Sequence, residues 1–304
     1  MHELTGPPDA RRMVNFWADQ GATSFTVYEN ITRDELRAVV EEAHKRGLKV
    51  TGHLCSIGYR EAAEIGIDNL EHGLLADSEF VSIKRPDECP GPIVDASLRR
   101  LDINSDAGKE TIRTLVSKNV ALTSTLAVFE AGTPLTQTGI GAESGVLNPR
   151  VLNVMNADAR MRYLTERSFI SPDSPAVLLV RKSMDFERAF VAAGGLLIAG
   201  SDPTGNGGIV AGFGDLREVE LLVEAGFTPL EAIKIASLNG AKFLGENSQI
   251  GSIAIAKQAD LMVVKGNPAT NINDIEKVEI VFKDGVGYDT EKLIRSVQGL
   301  VGIR

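Results

Sequence analysis

One unit of sequence grammar recurs along most of this chain: a helix-like stretch, a glycine, then a short apolar run. DARRMVNFWADQ stops at Gly21 and gives way to ATSFTVY, and DELRAVVEEAHKR stops at Gly47 before LKVTGH. YREAAEI stops at Gly66 before IDNLEH, GKETIRTLVSK reaches Asn119 before VALTSTL, and VLLVRKSMDFERAFVAA stops at Gly194 and Gly195 before LLIAGSD. Glycine ends a helix at low cost because it lacks Cβ, and asparagine tolerates the same left-handed cap geometry. Thr32 followed by Glu35 predicts a capping box at the start of the second helix. Strand and helix in alternation mean βαβ units and a parallel sheet. Units this short suit a (β/α) barrel better than a bundle or a sandwich.

The chain shows five such units, whereas a closed barrel of this kind has eight strands. The expected fold is therefore α/β, an incomplete (β/α)8 TIM-like barrel made of its five carboxyl-terminal units. An isolated five-strand segment leaves two strand edges open, which folded proteins normally close or cover. The expectation is that the missing strands come from another chain, or that the chain is truncated at its amino end.

Two stretches, Phe80 to Ser105 and Ala127 to Pro175, break the rhythm and are rich in Pro, Gly, Ser and Asp. Both follow a strand, so they are expected to lie over the strand ends as lids or substrate loops. After Asp202 comes PTGNGGIVAGFG, which lacks the spacing and lysine of a phosphate-binding loop and reads as a flexible loop, and then two helices ending near Leu244. The tail changes character. IGSIAIAKQADLMVVKG and VEIVFKDGVGY read as strands of a small appended β domain, here expected as a β-sandwich segment. The expected division is a barrel over residues 1–245 and a small β domain over residues 246–304.

With 43% hydrophobic and 24% charged residues among 304, a sizeable core is affordable. The net charge of -9 repels phosphate backbones and anionic lipid, so neither nucleic-acid nor membrane binding by bulk charge is expected. The apolar run around Phe190–Ala199 is too short to span a bilayer. The opening MHELTGPPDARR shows no export signal, and Cys55 and Cys89 do not amount to a disulfide framework. A reducing, cytoplasmic location is the expectation, with Cys55 packed as a buried thiol.

Three residues stand where apolar runs end: His53, His72 and Asp202. Nitrogen and carboxylate donors at the carboxyl ends of parallel strands suit a divalent metal, with zinc the first choice. A lone histidine at a strand end is more often structural than a ligand, but two of them one βα unit apart, with an aspartate in the equivalent place, raise the ligand reading. His44, among charged residues in the last turn of its helix, reads as a solvated group favoured by the helix dipole. Glu71 is expected on the opposite face of its strand from His72, in a structural role. Tyr59 and Arg60 open the helix after the second strand. Arg60 reads equally as a clamp on a substrate carboxylate or as a surface salt bridge.

GLKVTGHLCSIGYREAAEIGIDNLEHG, LLIAGSDPTG and GSIAIAKQADLMVV together resemble the metal-dependent amidohydrolase superfamily, most nearly its imidazolonepropionase and prolidase-like branch. The first stretch is similar to barrel strands five and six with their histidines, and the second to strand eight with its aspartate. The third is similar to a signature of the small β domain, with Ala256 where that signature has its second glycine. The resemblance implies that His53 and His72 are metal ligands and that Asp202 is both a ligand and the general base. A metal lowers the pKa of bound water to about 7 and polarises the scissile carbonyl, and a carboxylate beside it accepts the proton.

The chain also departs from that pattern. It lacks the H-x-H pair of the first barrel strand, and Thr26 stands where the branch carries a lysine that becomes carbamylated and bridges two metals. Two readings follow. One is a metal-dependent hydrolase of C–N bonds in small amide or dipeptide-like substrates, with Tyr59 and Arg60 as carboxylate contacts and self-association into a homo-oligomer. The other is an inactive, truncated remnant that acts through association.

Overall fold

The computed structural model describes residues 2–133, 149–171, 173–203 and 209–302. Its described residues form two compact units: Met1–Ser124 with Asp185–Leu197, and Thr125–Met184 with Ile198–Arg304.

In the first unit, α1 (Pro7–Asp19) leads to β1 (Ser24–Val27), α2 (Arg33–Lys45) to β2 (Lys49–Gly52), and α3 (Tyr59–Ile65) to β3 (Asn69–Glu71). Then α4 (Ile93–Arg100) and α5 (Asp106–Ser117) precede β4 (Ala121–Ser124). Strands β1 to β4 are parallel neighbours in chain order, with Thr26 opposite Thr51, Thr51 opposite Asn69, and Glu71 opposite Thr123. The sheet is completed in the order β1-β2-β3-β4-β5, where β5 is Leu197–Ala199. All five strands and five helices that the repeat predicts are present.

The local causes are those of the sequence. Thr32 accepts from the Glu35 amide while the Glu35 carboxylate accepts from the Thr32 amide, which satisfies two donors at the start of α2. Gly66 closes α3 at φ 104°, a left-handed geometry that sends the chain directly into β3. Helices α1, α2, α3 and α5 pack on one another in succession, and α2 also packs on β1 and β2. Leu36, Val40, Val50, Leu70, Leu115 and Leu122 form the buried apolar layer. Gly52 is required for closeness: a Cβ there would stand 2.9 Å from Ile67 Cδ1.

The stretch from Phe80 to Ser105, expected as loop, contains α4, whose buried Val94 and Leu98 give it an apolar stripe. The stretch from Ala127 to Pro175 lies in the second unit and is likewise largely helical where described: α6 (Leu126–Glu130), α7 (Pro149–Val154) and α8 (Ala157–Ser168). Polar composition hid these short helices. Helix α9 (Ala176–Ala192) follows. Of the glycine-rich segment after Asp202, residues 204–208 lie outside the described residues.

The second unit continues with α10 (Phe213–Glu224), α11 (Pro229–Lys234), a π-turn, and α12 (Gly240–Leu244). Its tail is an antiparallel three-stranded sheet, β6 (Leu261–Val264), β7 (Val278–Lys283) and β8 (Val286–Asp289), followed by α13 (Thr290–Ser296). A single sheet replaces the expected sandwich segment, and β8 is exposed along its length.

The cysteine expectation is corrected. Cys55 and Cys89 form a disulfide with Cα atoms 4.8 Å apart. Separated by 34 residues and by a long irregular segment, the pair left no spacing signal to read. No helix among the described residues is long and apolar enough to cross a membrane.

Candidate active site at the strand ends

His53 follows β2 directly, and its amide donates to the Val27 carbonyl at 3.1 Å, continuing the ladder one residue beyond the strand. Side chains alternate along a strand, so His53 shares a face with Thr51. That face is polar. The hydroxyls of Thr26 and Thr51 lie 3.0 Å apart, Thr51 donates to Glu71 at 2.6 Å, and Thr123 donates to Asn69 at 2.9 Å.

His72 should point away from this face, because Glu71 already occupies it. It does not. His72 has φ 69°, so the chain leaves the extended region at this residue and turns the imidazole back. The two rings meet edge to face with centroids 4.4 Å apart. Glu71 and His72 therefore serve the same side of the sheet, and the expectation that alternation separates them is corrected by one left-handed residue. Such a backbone costs on the order of 1–3 kcal/mol in a non-glycine residue, and residues of this kind cluster at functional sites. His72 is buried, whereas the side chain of His53 is 23% exposed. The Tyr28 ring also lies against His53, with centroids 4.7 Å apart, and the Glu29 carboxylate is 3.5 Å from His53 Nε2.

Tyr59 is fully buried. Its hydroxyl is shared between the carbonyls of Gly73 at 2.8 Å and Glu71 at 3.1 Å. Burial first, then the negative charges of Asp77, Glu71 and Glu187, hold that hydroxyl neutral well above the usual tyrosine range. Arg60 is paired with Glu79, which also accepts from the Arg60 amide at 2.8 Å. Asp77 is buried beside them and accepts from the amides of Glu79 and Tyr59; burial and the Glu79 charge push its carboxyl well above the ordinary range. His44 is not merely solvated, since its Nε2 lies 2.9 Å from Asp68.

Asp202 belongs to the second unit. It lies three residues beyond β5, is partly exposed, and like His72 has a positive φ, 44°. Sequence reading singled out both positions, but the left-handed backbone they share gave no signal, because neither is glycine or asparagine.

The amidohydrolase family pattern matches residues 26–287. The chain belongs to the amidohydrolase family. Over 78 residues it is 33% identical to a 5'-deoxyadenosine deaminase of Methanobrevibacter smithii, covering 25% of this chain and 18% of the deaminase. In fold it resembles a Xaa-Pro dipeptidase with bound methionine (TM-score 0.62, 21% identity, 94% of this chain and 59% of the other). It also resembles the bottromycin amidohydrolase AH (TM-score 0.68, 20% identity, 97% and 63%) and the ochratoxinase of A. niger (TM-score 0.60, 20% identity, 93% and 55%). The chain thus spans about three fifths of the length of these solved relatives.

Amidohydrolases are generally metal-dependent, so the donor set can be tested for fit. Among the described residues no group of three or more His, Cys, Asp or Glu side chains is placed to hold a metal ion. Thr26, whose hydroxyl is engaged with Thr51, has no amine from which a carbamate could form. A two-ion centre does not fit these residues. His53 and His72 bring two imidazoles together at adjacent strand ends, two of the three protein donors that a catalytic zinc site uses.

Proposed function

We propose that this chain carries the metal-binding half of a hydrolase site that cleaves C–N bonds in small amide or dipeptide-like substrates. The observation that carries this reading is the contact between His53 and His72, made where the chain turns left-handed at His72. His53 and His72 would hold one divalent ion, zinc by preference, since two imidazoles suit it. When bound, such an ion supplies an acidified water and a polarised carbonyl. For Asp202, which follows β5, the family resemblance implies the role of a metal ligand and proton acceptor. The Glu29 carboxylate, 3.5 Å from His53 Nε2, would serve as the carboxylate partner that orients a metal-binding histidine. In this reading residues 1–245 form the barrel portion and residues 246–304 the small β domain.

The test is turnover of N-acyl amino acids and dipeptides by chain grown with zinc or manganese, with metal content measured by elemental analysis. Bound metal with activity abolished in Asp202→Asn supports the reading. Protein free of metal after such growth contradicts it.

A second reading has its own support. The tail exposes Ile253 at 89% and Ile255 completely, and Met262, Val286 and Tyr288 also lie open, as a surface made for association would. An inactive chain that forms a homo-oligomer through this sheet would show no turnover and a concentration-dependent mass in solution.

A further inference from the structure

We infer that Tyr59 is a positioning residue whose hydroxyl clamps the left-handed turn at His72 and so sets the contact between the two imidazoles. The inference rests on the proposed metal-binding role of His72, but its geometry stands independently. The Tyr59 hydroxyl reaches the carbonyls on both sides of His72, Gly73 at 2.8 Å and Glu71 at 3.1 Å. The Gly73 amide is tied to the Thr123 carbonyl of β4 at 2.9 Å, so the residue after His72 is held from two directions. Tyr59 is itself immobile: it begins α3, is fully buried, and its amide faces Asp77 at 3.4 Å.

A strand that continued extended past Glu71 would carry the His72 ring to the helix-covered face. The left-handed turn costs free energy, and a buried hydroxyl donating to its two flanking carbonyls offsets that cost. A phenylalanine would fill the same space and pack equally well, so packing does not account for the hydroxyl. Sequence reading took Tyr59 for a contact to substrate. Its burial and its two carbonyl partners tie it instead to the backbone on either side of His72.

Tyr59→Phe removes only the oxygen. In the metal-free full chain, we expect it to shift the His72 imidazole resonances and to weaken the ring-to-ring nuclear Overhauser contact between His53 and His72. Zinc affinity should fall about 10–100-fold, the range for lost support of a metal-binding histidine. Leu98→Ala, a buried change in α4, is the control for general destabilisation and should alter neither readout. Unchanged His72 resonances and zinc affinity in Tyr59→Phe would overturn the inference, even if its melting temperature fell as far as that of the control.

If Tyr59→Phe does not fold, the wild-type chain decides. A slowly exchanging Tyr59 hydroxyl proton with contacts to the His72 backbone supports the clamp, and a rapidly exchanging one overturns it. Should the wild-type chain bind no zinc, the proposed function falls, and the metal-free resonances still test Tyr59.

Discussion

At the ends of β2 and β3 two imidazoles touch, one of them partly open to solvent and the other buried on a left-handed turn. In the second unit, Arg217 of α10 is buried among carboxylates: Glu130 of α6 at 2.6 Å, Glu224 at 2.8 Å and Glu220 at 3.0 Å. Both places concentrate ionisable groups, yet they are built to different ends. Burial works to lower the Arg217 pKa, but the bonds and charges of Glu130 and Glu224 hold it above the ordinary arginine value. Each partner of that guanidinium lies in the same unit, Glu220 and Glu224 on α10 itself and Glu130 on α6, so the cluster is architecture. Of the histidines, His53 instead lies beside the Glu29 carboxylate, which is itself partly exposed.

This contrast predicts where damage is structural and where it is chemical. Arg217→Met should have the largest effect, because it leaves Glu130 and Glu220 buried without their cation. Breaking a buried pair in this way costs about 3–5 kcal/mol, read as a fall in the urea midpoint. Loss of zinc binding without loss of stability in Arg217→Met would break the comparison.

Next comes the disulfide. Cys55→Ser should lower stability by about 2–4 kcal/mol, since the bridge closes a long loop of the unfolded chain. The effect should vanish when wild type and variant are compared under a dithiol reductant. Cys55 lies two residues from His53, so this variant also tests how far the strand-end loop depends on its tether.

A smaller effect is expected at Glu276, on the short helical turn that packs against α10. Burial and then the charge of Glu220 raise its carboxyl from an ordinary 4.5 to about 7. A folded-state pKa raised in this way gives stability that is full below the ordinary value and is lost as pH rises through about 7. Wild-type stability should therefore decline between pH 5 and pH 8, and Glu276→Gln should flatten that decline. Parallel slopes for the two proteins would contradict the assignment. Smallest of all, Thr26→Val removes one exposed hydroxyl pair and should cost about 0.5–1.5 kcal/mol at most.

Much of this molecule was legible in its sequence. Each strand of the parallel sheet followed a glycine or asparagine cap, and the Thr32–Glu35 box marked α2 outright. His53 and His72 were found because period and position coincide at strand ends. What escaped was non-local or lay in single dihedral angles. Nothing in LEH announces that His72 turns left-handed, so Glu71 was assigned to the wrong side. LREVELLVE does not show that its arginine will pair with Glu130 of α6, many residues earlier in the chain. The Cys55–Cys89 bridge is of the same kind: neither cysteine carries information about the other until the chain folds.

The central claim is that the His53–His72 contact is a metal-binding pair. Calorimetric titration of chelator-stripped chain with zinc tests it most directly, in wild type and in His53→Ala and His72→Ala. The account predicts about one equivalent of zinc bound by wild type and none by either variant, with both variants still folded. No binding by wild type, or equal binding by all three proteins, would contradict it.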